Sequence, residues 1–201
     1  RSQATLSVEQ DIVKRHSRHV LFNMDVLSLT RLAYRVLEEL CIQTPEVIDD
    51  LGRIMLVRQA LINVDSSLTA FKGMTEKSGF VEKIKNTLTE LMQYSIDTAV
   101  LQGLSEDIKG RPQLKNKVHD ICVIAQEFYR LLGDRLITSE KILIMLNENI
   151  RKSESLKNST VVLDGFGSFT TLQYSIIEQM LGACRDVYVV LNMDRASVGR
   201  E

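Results

Sequence analysis

Asp164 is the residue in this sequence best placed to do chemistry. It follows the apolar run Val161, Val162, Leu163 and precedes Gly165, inside the stretch 160–173 that reads TVVLDGFGSFTTLQ. An apolar, β-branched run ended by an acid and a glycine predicts a buried strand that delivers a carboxylate to a sheet edge and then turns tightly. A helix is predicted to start near Thr170, with Leu172, Ile176, Ile177, Met180 and Leu181 on its apolar face. Strand, acid, turn and helix in that order is how nucleotide-driven motors place the Asp that holds hydrated Mg²⁺. Such motors follow the Asp with a Glu that activates the attacking water, and here that position is Gly165. The stretch has the form of a motor motif without its base. The same residues also suit an ordinary buried strand whose Asp caps the turn.

Arg31 and Tyr34 form the second constellation. They lie three apart in the first turn of a predicted helix whose stripe is Leu32, Ala33, Val36, Leu37 and Leu40, opened by Ser28 or Thr30. A predicted strand through Val26, Leu27 and Leu29 precedes it. A cation and a ring at the carboxyl end of a strand suit a phosphate and a stacked base. A surface Arg beside a half-buried Tyr is the plainer alternative. His16 and His19 are three apart on an earlier helix, which Ser7 and Gln10 open as a capping box and which turns Val8, Ile12 and Val13 inward. That spacing could serve a metal, but no third ligand is near, and the pair reads as a solvated helix end. His119, alone on its helix, reads as surface.

Composition narrows the classes. The 201 residues carry 44% hydrophobic and 25% charged side chains, a soluble globular balance that fills one large domain or two small ones. A net charge of -1 leaves no global footprint for nucleic acid or anionic membrane, so any nucleic-acid contact must be local. The three cysteines, Cys41, Cys122 and Cys184, are isolated and odd in number, which argues against a disulfide framework or a zinc site and for a reducing, cytoplasmic setting. No apolar run approaches the ~18 residues of a membrane span, and no signal peptide is visible. The chain starts at Arg1 inside apparent structure and is expected to be a piece of a longer protein.

From 45 to 150 the pattern is helical, with no convincing strand. One helix carries Val47, Leu51, Ile54, Met55, Leu61 and Ile62; a second Phe80, Val81, Ile84, Leu88, Leu91 and Met92. A third carries Leu114, Val118, Ile121, Ala125, Phe128 and Leu132; a fourth, capped by Thr138 and stapled by Ile137 against Ile142, carries Leu143, Met145, Leu146 and Ile150. Loops are expected near 65–78, 103–112 and 133–137. The segment 151–159 is a polar connection, and 186–191, DVYVVL, is a further strand. The order strand–helix, helical block, strand–helix–strand predicts an α/β fold, predominantly helical, in which one parallel sheet accepts a helical insertion.

Four stretches, SQATLSVEQ, VLSLTRLAYRVLEEL, LDGFGSFTTLQ and VYVVLNMD, carry a resemblance to a known family. In order and spacing they resemble the amino-terminal region of the AddB/RexB-type polypeptide of the bacterial ATP-dependent helicase/deoxyribonuclease. The likeness covers about 1–40 and 133–194, and the helical middle is compatible with it. It implies a truncated RecA-like sheet of the superfamily-1 helicase 1A kind, over 1–40 and 152–201, with an all-helical 1B-type insertion over 41–151. LDGFGSFTTLQ would then be the helicase Asp-Glu motif in degenerate, Walker B-like form, with Asp164 kept and Gly165 in place of the Glu.

The resemblance also implies a role. The parent complex processes double-strand breaks for recombinational repair, unwinding and degrading DNA ends until it meets a short sequence called Chi. The AddB/RexB-type polypeptide, an inactivated motor, would guide the 3′ single strand and contribute to Chi recognition. The family positions tied to that strand fall on Gln3, Thr5, Arg31, Tyr34 and Phe166. Gln and Thr can hydrogen-bond base edges, Arg can pair with phosphate or guanine, and the two rings offer stacking faces. Leu29 stands where the family often has an aromatic. The implied partners are the AddA/RexA-type motor polypeptide and single- and double-stranded DNA ends, with no membrane. The parent complex uses ATP, Mg²⁺ and, in some members, a 4Fe-4S cluster. No cofactor is expected on this piece, since no G-x-x-x-x-G-K-[ST] loop and no cluster of cysteines occurs in it, and it should not be catalytic alone. Two alternatives stand beside this reading: a protein–protein module that braces the active motor polypeptide, and a P-loop ATPase cut before its phosphate loop.

Overall fold

The computed structural model describes Val8, residues 10–14 and residues 23–191. The fold is predominantly helical with two small parallel sheets. Val8 and residues 10–14 are helical; Ile12 and Val13 are half-buried and Val8 is exposed. The expected capping box at Ser7 and the His16/His19 pair lie outside the described residues.

Helix α1 (Leu29–Glu39) starts where Ser28 accepts the Arg31 N–H at 3.3 Å and buries Ala33, Val36 and Leu37. It ends in a reversed-handed turn at Cys41, φ 55°, where the Ile42 N–H donates to the Leu37 carbonyl at 2.8 Å. The strand expected through Val26, Leu27 and Leu29 is not there. Residues 24–28 are irregular, and Leu29 is already helical because Ser28 caps the helix and no strand among the described residues offers them a ladder.

The helical middle holds α2 (Asp50–Val64), α3 (Ser78–Gln93), α4 (Thr98–Asp107) and α5 (Pro112–Leu132). Helix α4 replaces the first half of the loop expected at 103–112. Asp97 caps it by accepting the Val100 N–H at 2.8 Å, and only Leu101 and Ser105 are buried, a stripe too thin for the sequence to show. Two residues of strand on each side, β1 (Glu46–Val47) and β2 (Leu136–Ile137), pair in parallel where no strand was expected. Their ladder is extended by the Ile48 N–H on the Ile137 carbonyl at 2.9 Å. Buried Asp120 of α5 pins the loop after α2 by accepting the Thr69, Ala70 and Phe71 N–H groups at 3.0, 2.7 and 2.9 Å. One core forms here around Val57, Leu61, Ile84, Leu88, Ile124 and Phe128.

A second core gathers α1, α6 (Ser139–Asn149), the short α7 (Glu154–Lys157) and α8 (Thr171–Ala183). Thr138 caps α6 as expected, and Ile137 and Ile142 are buried in the same cluster. Glu39 at the end of α1 binds the return segment, accepting from the Ser153 and Ser155 hydroxyls at 2.6 Å each and from the Ser155 N–H at 3.0 Å. These bonds hold its carboxyl at a pKa of about 2. The two cores are tied by the buried pair Arg53–Glu140, at 2.7 Å, whose guanidinium also donates to Thr89 at 2.8 Å.

Strands β3 (Thr160–Phe166) and β4 (Asp186–Leu191) pair in parallel across α8, from Thr160 opposite Asp186 to Leu163 opposite Val189. The strand is longer and barer than expected. It runs past Asp164 to Phe166, with a register irregularity after Leu163, and only Leu163 is buried. Helix α8 buries Leu172, Ile176 and Met180, while Leu181, expected on that face, is exposed.

Candidate functional site

The carboxyl end of β3 is built by a left-handed residue. Gly165 has φ +80°, a conformation with no steric cost only for glycine, and it lies in the register irregularity after Leu163, from which Phe166 resumes the ladder opposite Leu191. The Asp164 side chain is exposed, and its Oδ1 accepts the Gly165 N–H at 2.8 Å. The carboxylate thus caps its own turn, the plainer of the two uses the sequence allowed. Thr170 and Gln173 then open α8 with a reciprocal capping box: the Thr170 N–H donates to Gln173 Oε1 at 2.9 Å and Thr170 Oγ1 accepts the Gln173 N–H at 3.3 Å.

Between these two fixed points lies a run of aromatic rings. Phe166 is half-buried and stacks on Phe169, with centroids 4.9 Å apart and 27° between the planes. Phe169 in turn meets Tyr174 at 5.5 Å and 58°. Tyr174 sits one turn into α8, its N–H on the Thr170 carbonyl at 2.9 Å, and the residue is 62% exposed. Phe169 and Tyr174 were not singled out in the sequence. The signal was present as the spacing F-x-x-F-x-x-x-x-Y across a turn and one helical turn, but a capped turn had to be assumed before it could be read as one cluster.

Arg31 and Tyr34 lie together in the first turns of α1, but the segment before them, 24–28, is irregular where a strand end was expected to present them. Both line an open groove of about 330 Å³ with Asp25, Val26, Leu27, Arg35 and Glu38. Arg35 is ion-paired with Asp25 across the groove, whereas Arg31 makes no ion pair among the described residues. Tyr34 is exposed. Leu29 packs half-buried against the α1–α6–α8 core, so the position where an aromatic was looked for faces inward here. Helices α1 and α8 share one core with α6, but among the described residues no hydrogen bond, ion pair or ring contact joins Arg31 or Tyr34 to Phe166. Gln3 and Thr5 lie outside the described residues. His119 is exposed, and Cys41, Cys122 and Cys184 are free thiols. Among the described residues no three His, Cys, Asp or Glu side chains converge to hold a metal ion, and no helix is long and apolar enough to cross a membrane.

The arrangement can stack planar groups and pair an anion with Arg31; among the described residues it holds no nucleophile beside a base. Known proteins match it over almost the whole chain. The family described as ADDB, N-terminal, matches residues 2–201. The chain is similar to the B subunit of the ATP-dependent helicase/deoxyribonuclease of Lachnoclostridium phytofermentans, 36% identical over 199 residues, which is 99% of this chain and 17% of that protein. It is likewise similar to the proteins of the same name from Clostridium acetobutylicum, 31% identical over 199 residues, and Bacillus subtilis, 26% over 204, covering 17% and 18% of their lengths and 99% of this chain in both cases. The chain therefore spans less than a fifth of the relatives it matches.

Proposed function

The chain belongs to the ADDB N-terminal family, and from that membership we propose that it forms part of the AddB/RexB-type polypeptide of a helicase–nuclease that processes broken DNA ends, where it guides the 3′ single strand. Its two-part layout is a RecA-like motor domain, over 1–40 and 152–201, interrupted by a helical 1B-type insertion over 41–151. The motor is inactivated: Gly165 stands in the position of the water-activating Glu, and the Asp164 carboxylate is turned onto its own backbone. The partner is the AddA/RexA-type polypeptide, which supplies the working motor with ATP and Mg²⁺. Recognition of a Chi-like sequence takes place as the strand passes Arg31, Tyr34 and Phe166, with Gln3 and Thr5 contributing base-edge contacts.

The observation that carries this reading is Phe166. A half-exposed ring stands at the carboxyl end of a parallel strand, where open α/β sheets bind ligands, beside a glycine that lets another backbone approach. The Arg31 groove supports it with a cation and a second exposed ring. The test is an anisotropy titration of labelled single-stranded DNA with the intact polypeptide and its Arg31→Ala and Phe166→Ala variants at low salt. Each substitution is expected to weaken binding about tenfold. Binding unchanged in both variants would remove the strand path from this part of the molecule.

A second reading draws on a different surface. Leu51, Met55 and Ile62 are exposed along one line of α2, at the spacing of a helix seam. An interaction module that braces the AddA/RexA-type motor would use such a stripe, and it would tolerate loss of Phe166 but not a charge at Met55.

A further inference from the structure

We infer that Phe166, Phe169 and Tyr174 act as one aromatic platform for single-stranded DNA, with Tyr174 a second base-stacking face and Phe169 a positioning residue that holds the Phe166 ring. The inference rests on the strand-guiding reading above and adds two residues and a division of labour to it.

The ladder with Leu191 fixes the backbone of Phe166, but its sequence neighbours give its ring no side-chain support. Gly165 and Gly167 carry no side chains, and a Cβ placed on either would meet nothing within 4 Å. A ring without flanking side chains must be ordered when a base arrives. The stack on Phe169, 4.9 Å and 27°, supplies that order in advance. It covers part of Phe166, and the residue as a whole stays half-exposed. Phe169 is itself half-buried and sits directly before the Thr170 cap, so its backbone is fixed by the capping box that opens α8.

Tyr174 is fixed by the same cap. Its N–H bonds the Thr170 carbonyl at 2.9 Å, and its tilt of 58° against Phe169 keeps the two rings from stacking face to face. The residue is 62% exposed, far more than core packing requires. The open space around both glycines leaves the turn beside the rings uncrowded. The charge nearby in sequence is the exposed Asp164 carboxylate, which disfavours phosphate at that point and leaves base faces as the recognised chemistry. Stacking of this kind tolerates any base, so the platform grips the strand and leaves base choice to other groups.

The test uses the intact polypeptide and a single-stranded oligonucleotide carrying 2-aminopurine, whose fluorescence falls on stacking. Tyr174→Ala is expected to weaken binding about tenfold and to relieve quenching. Tyr174→Phe should bind within about twofold of the parent, and Tyr174→Leu, apolar but without a π face, should remain as weak as Tyr174→Ala. Phe169→Ala should weaken binding about fivefold in the parent and less than about twofold in a Phe166→Ala background, with Phe169→Tyr restoring it. Because Leu keeps an apolar side chain at this position, the Leu–Phe contrast at 174 decides the matter even where Tyr174→Ala lowers the unfolding temperature. Weakening by Phe166→Ala with parent-like binding by Tyr174→Leu and Phe169→Ala would overturn the platform and leave strand guiding intact. Parent-like binding by Phe166→Ala and Arg31→Ala would overturn both.

Discussion

The helical middle and the strand end of this chain finish their packing differently. In the middle, α2, α3 and α5 close on one another until Val57, Leu61, Ile124 and Phe128 have essentially no exposed surface. At the strand end, β3 and β4 cover one face only. Val161 and Val187 pack against the core that holds α8 and Leu163 is buried, while their alternates Val162 and Tyr188 stay 60% and 58% exposed. The difference follows from where each element finds its hydrogen bonds. A helix satisfies its own backbone and needs neighbours only for its apolar stripe, so a few helices complete a core. A parallel strand needs ladder partners on both edges and cover on both faces. Among the described residues the β3–β4 pair meets neither need.

This contrast implies a steep gradient of mutational cost. Phe128→Ala opens a cavity at a site with no exposed surface and should destabilise by about 3–5 kcal/mol, read as a drop in the urea midpoint at unchanged slope. Tyr188→Ala removes a ring of similar size from the open sheet face and should cost under ~1 kcal/mol. Equal losses at the two sites would erase the distinction between closed core and open sheet. Next in size is Arg53→Ala, which strands the buried Glu140 carboxylate between the two cores and should cost about 3 kcal/mol. The paired replacement Arg53→Met with Glu140→Leu should recover most of that loss, because no charge is left unpaired.

A smaller effect is read through pH. Glu39, which ties α1 to the return segment, has its carboxyl lowered from 4.5 to about 2 by the Ser153 and Ser155 hydroxyls. Its folded pKa lies below its unfolded one, so its contribution is complete above about pH 4.5 and is lost as pH falls from there toward 2. The carboxylate is exposed, which limits the effect to under about 1 kcal/mol. Glu39→Gln should flatten the acid limb of an unfolding-temperature profile taken between pH 5 and 2. Glu127 in the helical middle, lowered to about 2 by Arg130 and Asn63, should leave a residual slope of the same sign.

The sequence made the long helices plain because their stripes repeat over several turns. Phe80 to Met92 and Leu114 to Leu132 could not be mistaken, and Thr138 marked the start of α6. Strands were harder, since pairing depends on residues far apart. Val26–Leu27 had the composition of a strand and no partner among the described residues; Glu46–Val47 and Leu136–Ile137 had a partner and too few residues to show it. At the site, Arg31 with Tyr34 and the Asp164–Gly165 turn were legible from residue type and spacing, while Phe166 was singled out only through the family resemblance. Phe169 and Tyr174 were not, because ring stacking depends on a left-handed Gly165 and a capping box acting together.

The smallest expected effect is the sharpest probe of the open face. Val162 and Leu163 are adjacent, of similar hydrophobicity, and on opposite faces of β3, because side chains alternate along a strand. Leu163 is buried, with Val189 as its register partner; Val162 is opposite Tyr188 and exposed. Leu163→Thr puts a hydroxyl into an apolar contact and removes methyl groups, and should cost about 2 kcal/mol or more. Val162→Thr keeps the β-branched shape and sets its hydroxyl in water, so the stability of the chain should change by less than ~0.5 kcal/mol. Matched losses at 162 and 163 in a denaturant titration would mean that both faces of β3 are covered in solution and that the sheet is closed by a second copy of the chain. The concentration dependence of the midpoint would reveal that closure directly, since a monomer with an open face unfolds at the same denaturant concentration whatever the dilution.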